Sequence, residues 1–278
     1  MRERGTIEAP VGLGPGDHVC WVIEDDADLV DTITAWINDG VARDERVLYL
    51  VDVHAAQLMV ELPGVPDLAM LVARGQLVLG APDLYGGDGL DELALVTFFA
   101  SAIAEALMDG YTGMRVAALH VDMEDQAAID AFVAWEQLAD TFFARSRASA
   151  LCMLDRRSVT DAAITSIGAA HPACRGFACT TPFRLHVHED GWRLAGELET
   201  FDRFRLEQML RNTADETDRV VLHLGDLDHA SGGCTSVLHD FARRQAAGGG
   251  RLVLKEAPPR FRDGWRSLGF DAEVAVFA

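Results

Sequence analysis

The stretch from Arg219 to Leu254 constrains the chain most. Val220, Val221, Leu222 and Leu224 make an apolar run of strand length, rich in β-branched residues. A short polar turn follows and ends at Ser231-Gly-Gly233. Val237, Leu238 and Phe241 then fall about one helical turn apart and form one apolar stripe. Gly248, Gly249 and Gly250 stop that helix, because glycine takes the left-handed cap without a Cβ penalty. Arg251 to Leu254 is a second strand of buried type. The pattern predicts a strand–helix–strand unit whose unusual feature sits at the helix N-terminus.

That position has physical consequences. The first helical turn carries unpaired N–H donors and the positive end of the dipole. A hydroxyl there is exposed, and a phosphate added to it is electrostatically favoured. The other reading is plainer: Ser231 caps the helix, and the glycines only permit the turn. Both readings stand at this point.

The surrounding order of motifs resembles a known family. Leu194-Ala-Gly-Glu-Leu198, Val221-Leu-His-Leu224, the turn, Gly250-Arg-Leu-Val-Leu254, Pro258-Pro259 and Leu268-Gly-Phe270 follow one another as in STAS domains, the fold of bacterial anti-sigma-factor antagonists. The resemblance covers 183–278. In that family the turn usually reads D-S-S-G-L, and a partner anti-sigma kinase phosphorylates the second serine. Aligned without gaps, Ser231-Gly-Gly-Cys-Thr235 occupies those places, so Gly233 stands where the phosphoserine would be. Ser231, Thr235 and Ser236 are the hydroxyls that remain nearby.

The first two thirds of the chain alternate strand and helix patterns. Strands are expected at 17–24, 46–53, 76–79, 114–121 and 148–154, and helices at 26–42, 54–60, 67–73, 91–108, 124–147 and 160–170. Such alternation predicts an α/β domain with a mostly parallel sheet and helices on both faces. Residues 1–16 are rich in Gly and Pro and read as a poorly ordered lead-in. Residues 172–182, with two prolines, read as the linker to the second domain or as an excursion before it. Net charge is −20 over 278 residues, which argues against direct binding to nucleic acid or to an anionic membrane. Cys20, Cys152, Cys174, Cys179 and Cys234 show no spacing of the secreted kind and read as reduced thiols in a cytoplasm.

Ligands of open α/β sheets sit beyond the carboxyl ends of the strands. Polar residues at those ends are Glu24, Asp52, Asp122 and Asp155. His18 and Cys20, two apart on a strand, share one face, and His171 and Cys174 are close enough in sequence to converge. A satisfied core histidine and small core thiols would explain the same residues. No phosphate-loop, nucleophile-elbow, H-E-x-x-H or C-x-x-C signature occurs.

A second resemblance covers residues 11–172. Gly16-Asp-His-Val-Cys20, Arg46-Val-Leu-Tyr-Leu50, Asp122-Met123, Trp135-Glu136, Leu151-Cys-Met-Leu-Asp-Arg-Arg157 and His171-Pro172 look like the MEDS domain. That family comprises sensory domains first noted in methanogen and methylotroph regulators. The resemblance implies a RecA/KaiC-like core without a phosphate loop. It also implies a small organic ligand held by His18, Cys20, Asp122, Glu136, Asp155 and His171, and no cofactor is named by it.

Together the two resemblances imply domains at 11–172 and 183–278, joined in a cytoplasmic, non-enzymatic signalling regulator. The STAS-like part would bind an anti-sigma factor or related kinase-like protein through the turn at Ser231, Gly233, Thr235 and Ser236, and a homodimer is compatible with this. The alternatives are a purely structural binding module, or an enzyme using Cys20 or Cys152 with His18 or His171. Tetrahedral zinc held by His18, Cys20, His171 and Cys174 is weighed against the organic ligand, which is the expectation carried forward, with no metal ligands assigned.

Overall fold

A computed structural model describes residues 2–50, 62, 64–80, 91–120, 125–213, 219–270 and 275–278. The chain divides into two compact units, 1–180 and 181–278.

In the first unit the described strands are β1 (Gly5–Thr6), β2 (His18–Ile23), β3 (Arg46–Leu50), β4 (Leu77–Leu79), β5 (Met114–His120), β6 (Ala148–Asp155) and β7 (Ala173–Arg175). They form a seven-stranded sheet in the order β1-β7-β2-β6-β5-β3-β4, parallel throughout. Its helices are α1 (Asp26–Ala42), α2 (Leu68–Ala73), α3 (Glu92–Met108), α4 (Gln126–Phe143) and α5 (Asp161–Gly168). Aspartates start three of them: Asp25, Asp91 and Asp125 each accept a hydrogen bond from a backbone N–H of the first turn.

Every residue of β2 and β6 is buried, as expected for central strands covered on both sides. Alternation then gives the sheet two unlike faces. Val19, Trp21, Tyr49, Leu151 and Met153 pack with Ile33 and Trp36 of α1 into an apolar core. His18, Cys20, Ala150 and Cys152 point to the opposite face.

Three expectations need correction. The stretch before residue 17 is tied down: β1 pairs with β7, and the Arg2 guanidinium binds Asp140 on α4. Of the two readings of 172–182, the linker gives way to the excursion, because β7 extends the sheet beside β2 and a 3-10 turn follows at Gly176–Thr180 within the first unit. That turn also brings Cys179 back to Cys174, and the two form a disulfide with a Cα–Cα separation of 5.4 Å, so these thiols are not reduced. The expected helix at 54–60 lies outside the described residues.

The second unit holds β8 (Phe183–His188), β9 (Gly191–Leu198), β10 (Arg219–His223), β11 (Leu227–Ala230), β12 (Arg251–Lys255) and β13 (Ala275–Phe277). Its helices are α6 (Arg203–Thr213), α7 (Gly232–Ala247) and α8 (Pro259–Ser267). β8 and β9 form an antiparallel hairpin, while β11, β9, β10, β12 and β13 run parallel in that order. The strand–helix–strand unit expected from the sequence is present as β10, α7 and β12, with β10 and β12 paired in parallel. The polar turn between them contains an extra strand, β11, which lies against β9. Gly196 of β9 has φ +91°, and a Cβ there would meet the Pro182 carbonyl oxygen at 2.4 Å, so only glycine fits this bend.

Candidate functional site

β2 and β6 are neighbours in register, with His18 opposite Ala150 and Cys20 opposite Cys152. The helix α4 contributes Glu136 and Asp140, spaced four apart and therefore one above the other. His171 follows α5 and is also fully buried. The Nε2, carboxylate and thiol atoms of His18, Glu136, Cys152 and His171 lie within 4.8 Å of one another.

Individual contacts are closer. His18 Nε2 is 3.1 Å from Glu136 Oε2 and 3.2 Å from Cys152 Sγ. His171 Nε2 is 3.2 Å from the same Glu136 oxygen, which also lies 3.4 Å from Cys152 Sγ. On their outer sides, His18 Nδ1 lies 3.3 Å from Asp140 Oδ1, and His171 Nδ1 lies 2.9 Å from the Ile167 carbonyl oxygen. Two buried polar atoms, Glu136 Oε1 and His171 Nε2, satisfy no hydrogen bond.

Charges in this place are strongly coupled. Burial opposes charge on Glu136, yet the His171 and His18 imidazoles beside it hold its carboxyl well below the usual range. Asp140 is likewise held low against burial, by His18 and Arg2. Burial pulls the His18 imidazole down, but the two carboxylates outweigh it and the net shift is upward. His171 is lowered by burial and by the charge of His18. Burial pushes the Cys152 thiol well up, and neighbouring Glu136 adds to this. A thiol so placed is a poor nucleophile.

Beside the cluster lies a small cavity lined by Phe99, Val116, Ala118, His120, Trp135 and Phe143, with Glu136 and Cys152 as its polar edge. Its volume is about 20 Å³, room for one water-sized occupant and far below the span of a drug-sized pocket.

The sequence matches the family described as MEDS, the methanogen/methylotroph DcmR sensory domain, over residues 17–172, more than half of the chain. The chain belongs to the MEDS family. No curated protein matches it.

Of the residues singled out from the MEDS resemblance, His18, Glu136 and His171 come together. Cys20 is buried beside Cys152 on the same face but is not among the four converging donors. Asp155 does not join them: it lies an odd number of positions from Cys152, so it faces the other way, and it pairs with Arg157 at 2.7 Å. Asp122 and Asp52 lie outside the described residues. The expectation of a site beyond the carboxyl ends is also corrected, since His18 opens its strand and the cluster lies between sheet and helix. Cys174, in a disulfide, is not a donor here.

Sequence reasoning missed Asp140, Arg2 and His120. Asp140 carried a signal: with Glu136 it is a carboxylate on the apolar stripe of Phe132, Val133 and Phe143, where a solvated helix would place none. Arg2 carried no such signal.

In the second unit Ser231 caps α7, accepting from the Cys234 N–H at 3.4 Å. Thr235 and Ser236 hydroxyls donate to the carbonyls of Ser231 and Gly232, both at 2.9 Å. Gly233 lies in the first turn, where an added Cβ would meet Thr200 Cγ2 at 3.4 Å, an ordinary contact.

Proposed function

We propose that this MEDS protein is a non-enzymatic cytoplasmic signalling regulator. Its first unit binds a very small organic molecule in the cavity beside the histidine cluster, and its second unit, read as STAS-like, binds an anti-sigma factor or related kinase-like protein. The observation that carries the sensory part is the cavity itself, with aromatic walls from Phe99, Trp135 and Phe143 and with Glu136 and Cys152 at its polar edge. Occupancy of the cavity would favour one state of the protein over another, by the ligand's differential affinity for the two.

The output reading rests on the motif order in 183–278 and on the surface near the α7 N-terminus. Phe201 and Phe204 are 77% and 67% exposed, and both lie close in sequence to Thr200, which packs beside Gly233. Large exposed aromatics next to a turn of hydroxyls suit a protein partner. In the described residues no helix is long and apolar enough to cross a membrane.

An enzyme reading has one observation in its favour, the 3.2 Å approach of His18 Nε2 to Cys152 Sγ. The raised thiol pKa and full burial oppose it. Alkylation separates the two: a catalytic thiol reacts with iodoacetamide in the native protein, whereas the sensory reading expects Cys152 to react only on unfolding.

The sensory reading is tested by thermal shift against one-carbon alcohols, amines, carboxylates and haloalkanes, the organic molecules nearest in size to the cavity. A ligand of the folded state raises the melting temperature. Ala150 also lines the cavity, and Ala150→Val, which adds volume there, should remove that response while leaving a folded protein. If no compound in the set stabilises the wild type, the small-ligand reading fails.

A further inference from the structure

We propose that His18, Glu136, Cys152 and His171 form a closed tetrahedral site for a divalent transition cation of the zinc class. The donor set has the right softness, with one thiolate, two imidazoles and one carboxylate, a combination that suits zinc and not magnesium or calcium. Bond lengths near 2.0–2.3 Å place tetrahedral donors about 3.3–3.6 Å apart. Four of the donor separations are already 3.1, 3.2, 3.2 and 3.4 Å.

The outer contacts point the same way. Each histidine turns Nε2 inward and anchors Nδ1 on an acceptor, Asp140 for His18 and the Ile167 carbonyl for His171. This fixes the tautomer whose Nε2 lone pair faces the centre, the usual support of a metal-bound imidazole. Arg2 in turn binds Asp140. His171 Nε2, buried without a hydrogen bond and aimed at the centre, is an atom whose desolvation a cation would offset.

Charge also balances. A divalent cation, the Glu136 carboxylate and the Cys152 thiolate sum to zero, a neutral group in a buried place. On binding, Cys152 gives its thiol proton to the buffer and forms the metal–sulfur bond; a protonated His18 likewise releases its proton before its nitrogen coordinates. No electron moves. All four side chains are fully or almost fully buried, so the site has no open position for catalysis.

The proposal stands on this geometry and needs no small organic ligand, so the two readings fail separately. The full chain, expressed without a histidine tag in cobalt-supplemented medium, is measured for metal by mass spectrometry and for visible absorption. The expected result is one cobalt per chain, with intense tetrahedral d–d bands and a near-ultraviolet thiolate-to-cobalt band. Cys152→Ser should remove the thiolate band and Cys234→Ser should leave it in place. Asp140→Asn, which keeps the shape but weakens the anchor of His18, should lower affinity by about 10- to 100-fold. Substoichiometric cobalt, an octahedral spectrum, or a thiolate band that survives Cys152→Ser would overturn the proposal. The wild-type spectrum needs no variant, so a misfolded variant does not spare it. Thermal shift with the organic set, run on the same protein, then reports on the sensory reading alone.

Discussion

Two pairs of histidines in this molecule are almost superimposable in their own geometry. His18 and His171 have ring centroids 4.1 Å apart and tilted by 43°, and His188 and His223 have centroids 4.1 Å apart and tilted by 39°. Each pair has a carboxylate at hand, Glu136 in the first and Asp190 in the second. Their surroundings differ. Glu136 is buried and its second oxygen has no hydrogen-bond partner, whereas Asp190 is half exposed and already ion-paired with Lys255. The second pair also has no thiol among its donors. Ring geometry therefore does not make a cation site: what matters is burial, a donor with no competing cation, and outer anchors that fix the tautomer.

The largest expected effect tests burial directly. Asp140→Ala leaves both Arg2 and His18 without their carboxylate in a dry place, and should destabilise the first unit by about 3–5 kcal/mol. Asp190→Ala removes a half-exposed partner of Lys255 and His223, and should cost at most about 1 kcal/mol. Hydrogen exchange on the full chain reads both units at once. Equal losses would sink the distinction drawn between the clusters.

A third imidazole on the polar face sharpens the same point by pH. His120, at the end of β5 and against Phe132, is lowered by burial to a pKa of about 4. The unfolded chain takes this proton below about pH 6.5, and the folded chain only near pH 4. Stability should therefore fall as pH drops from 6.5 to 4, by up to about 3 kcal/mol from this group. His120→Gln should flatten that part of the pH profile. A variant with the wild-type slope would show that His120 is not buried neutral.

The Cys174–Cys179 disulfide closes a short loop at the edge of the first unit, and loop-closure entropy values it at about 2 kcal/mol. Reduction should lower protection in β7 and the adjoining 3-10 turn and leave β10 and β12 unchanged. Loss of protection in the second unit as well would mean that the two units do not respond independently.

Much of this fold was legible because its signals are local. Strand–helix alternation, the aspartate caps and the buried runs at β2, β3, β5 and β6 all follow from residue type and spacing. What was hidden depends on contacts distant in sequence. Arg2 reaches Asp140 across most of the first unit, and β7 was obscured by the prolines on either side of it. The site was half legible: His18 and His171 stood out by type, and Glu136 by its place in the family pattern. Cys152 entered only as a candidate thiol, because the register that sets it near His18 is a property of the sheet and not of either strand.

The smallest expected effect concerns what the second unit is for, if its histidines do not hold a cation. Gly233 sits in the first turn of α7, where the proposed STAS-like reading would place a phosphorylated serine. A Cβ there meets Thr200 Cγ2 at 3.4 Å, an ordinary contact, so Gly233→Ser should fold normally and change stability by no more than about 0.5 kcal/mol. Its hydroxyl would lie at the positive end of the helix, where a phosphate is favoured. Under the STAS-like reading, an anti-sigma kinase from the native cytoplasm should phosphorylate the Gly233→Ser variant and not the wild type, and phosphorylation should weaken capture of that kinase. Mass spectrometry of the modified peptide decides the site. Phosphate on Ser231, Thr235 or Ser236 of the wild type would instead place the switch on a native hydroxyl. A folded variant that no kinase modifies, and whose pull-down matches that of the wild type after Phe204→Ala, would remove this turn from the partner surface.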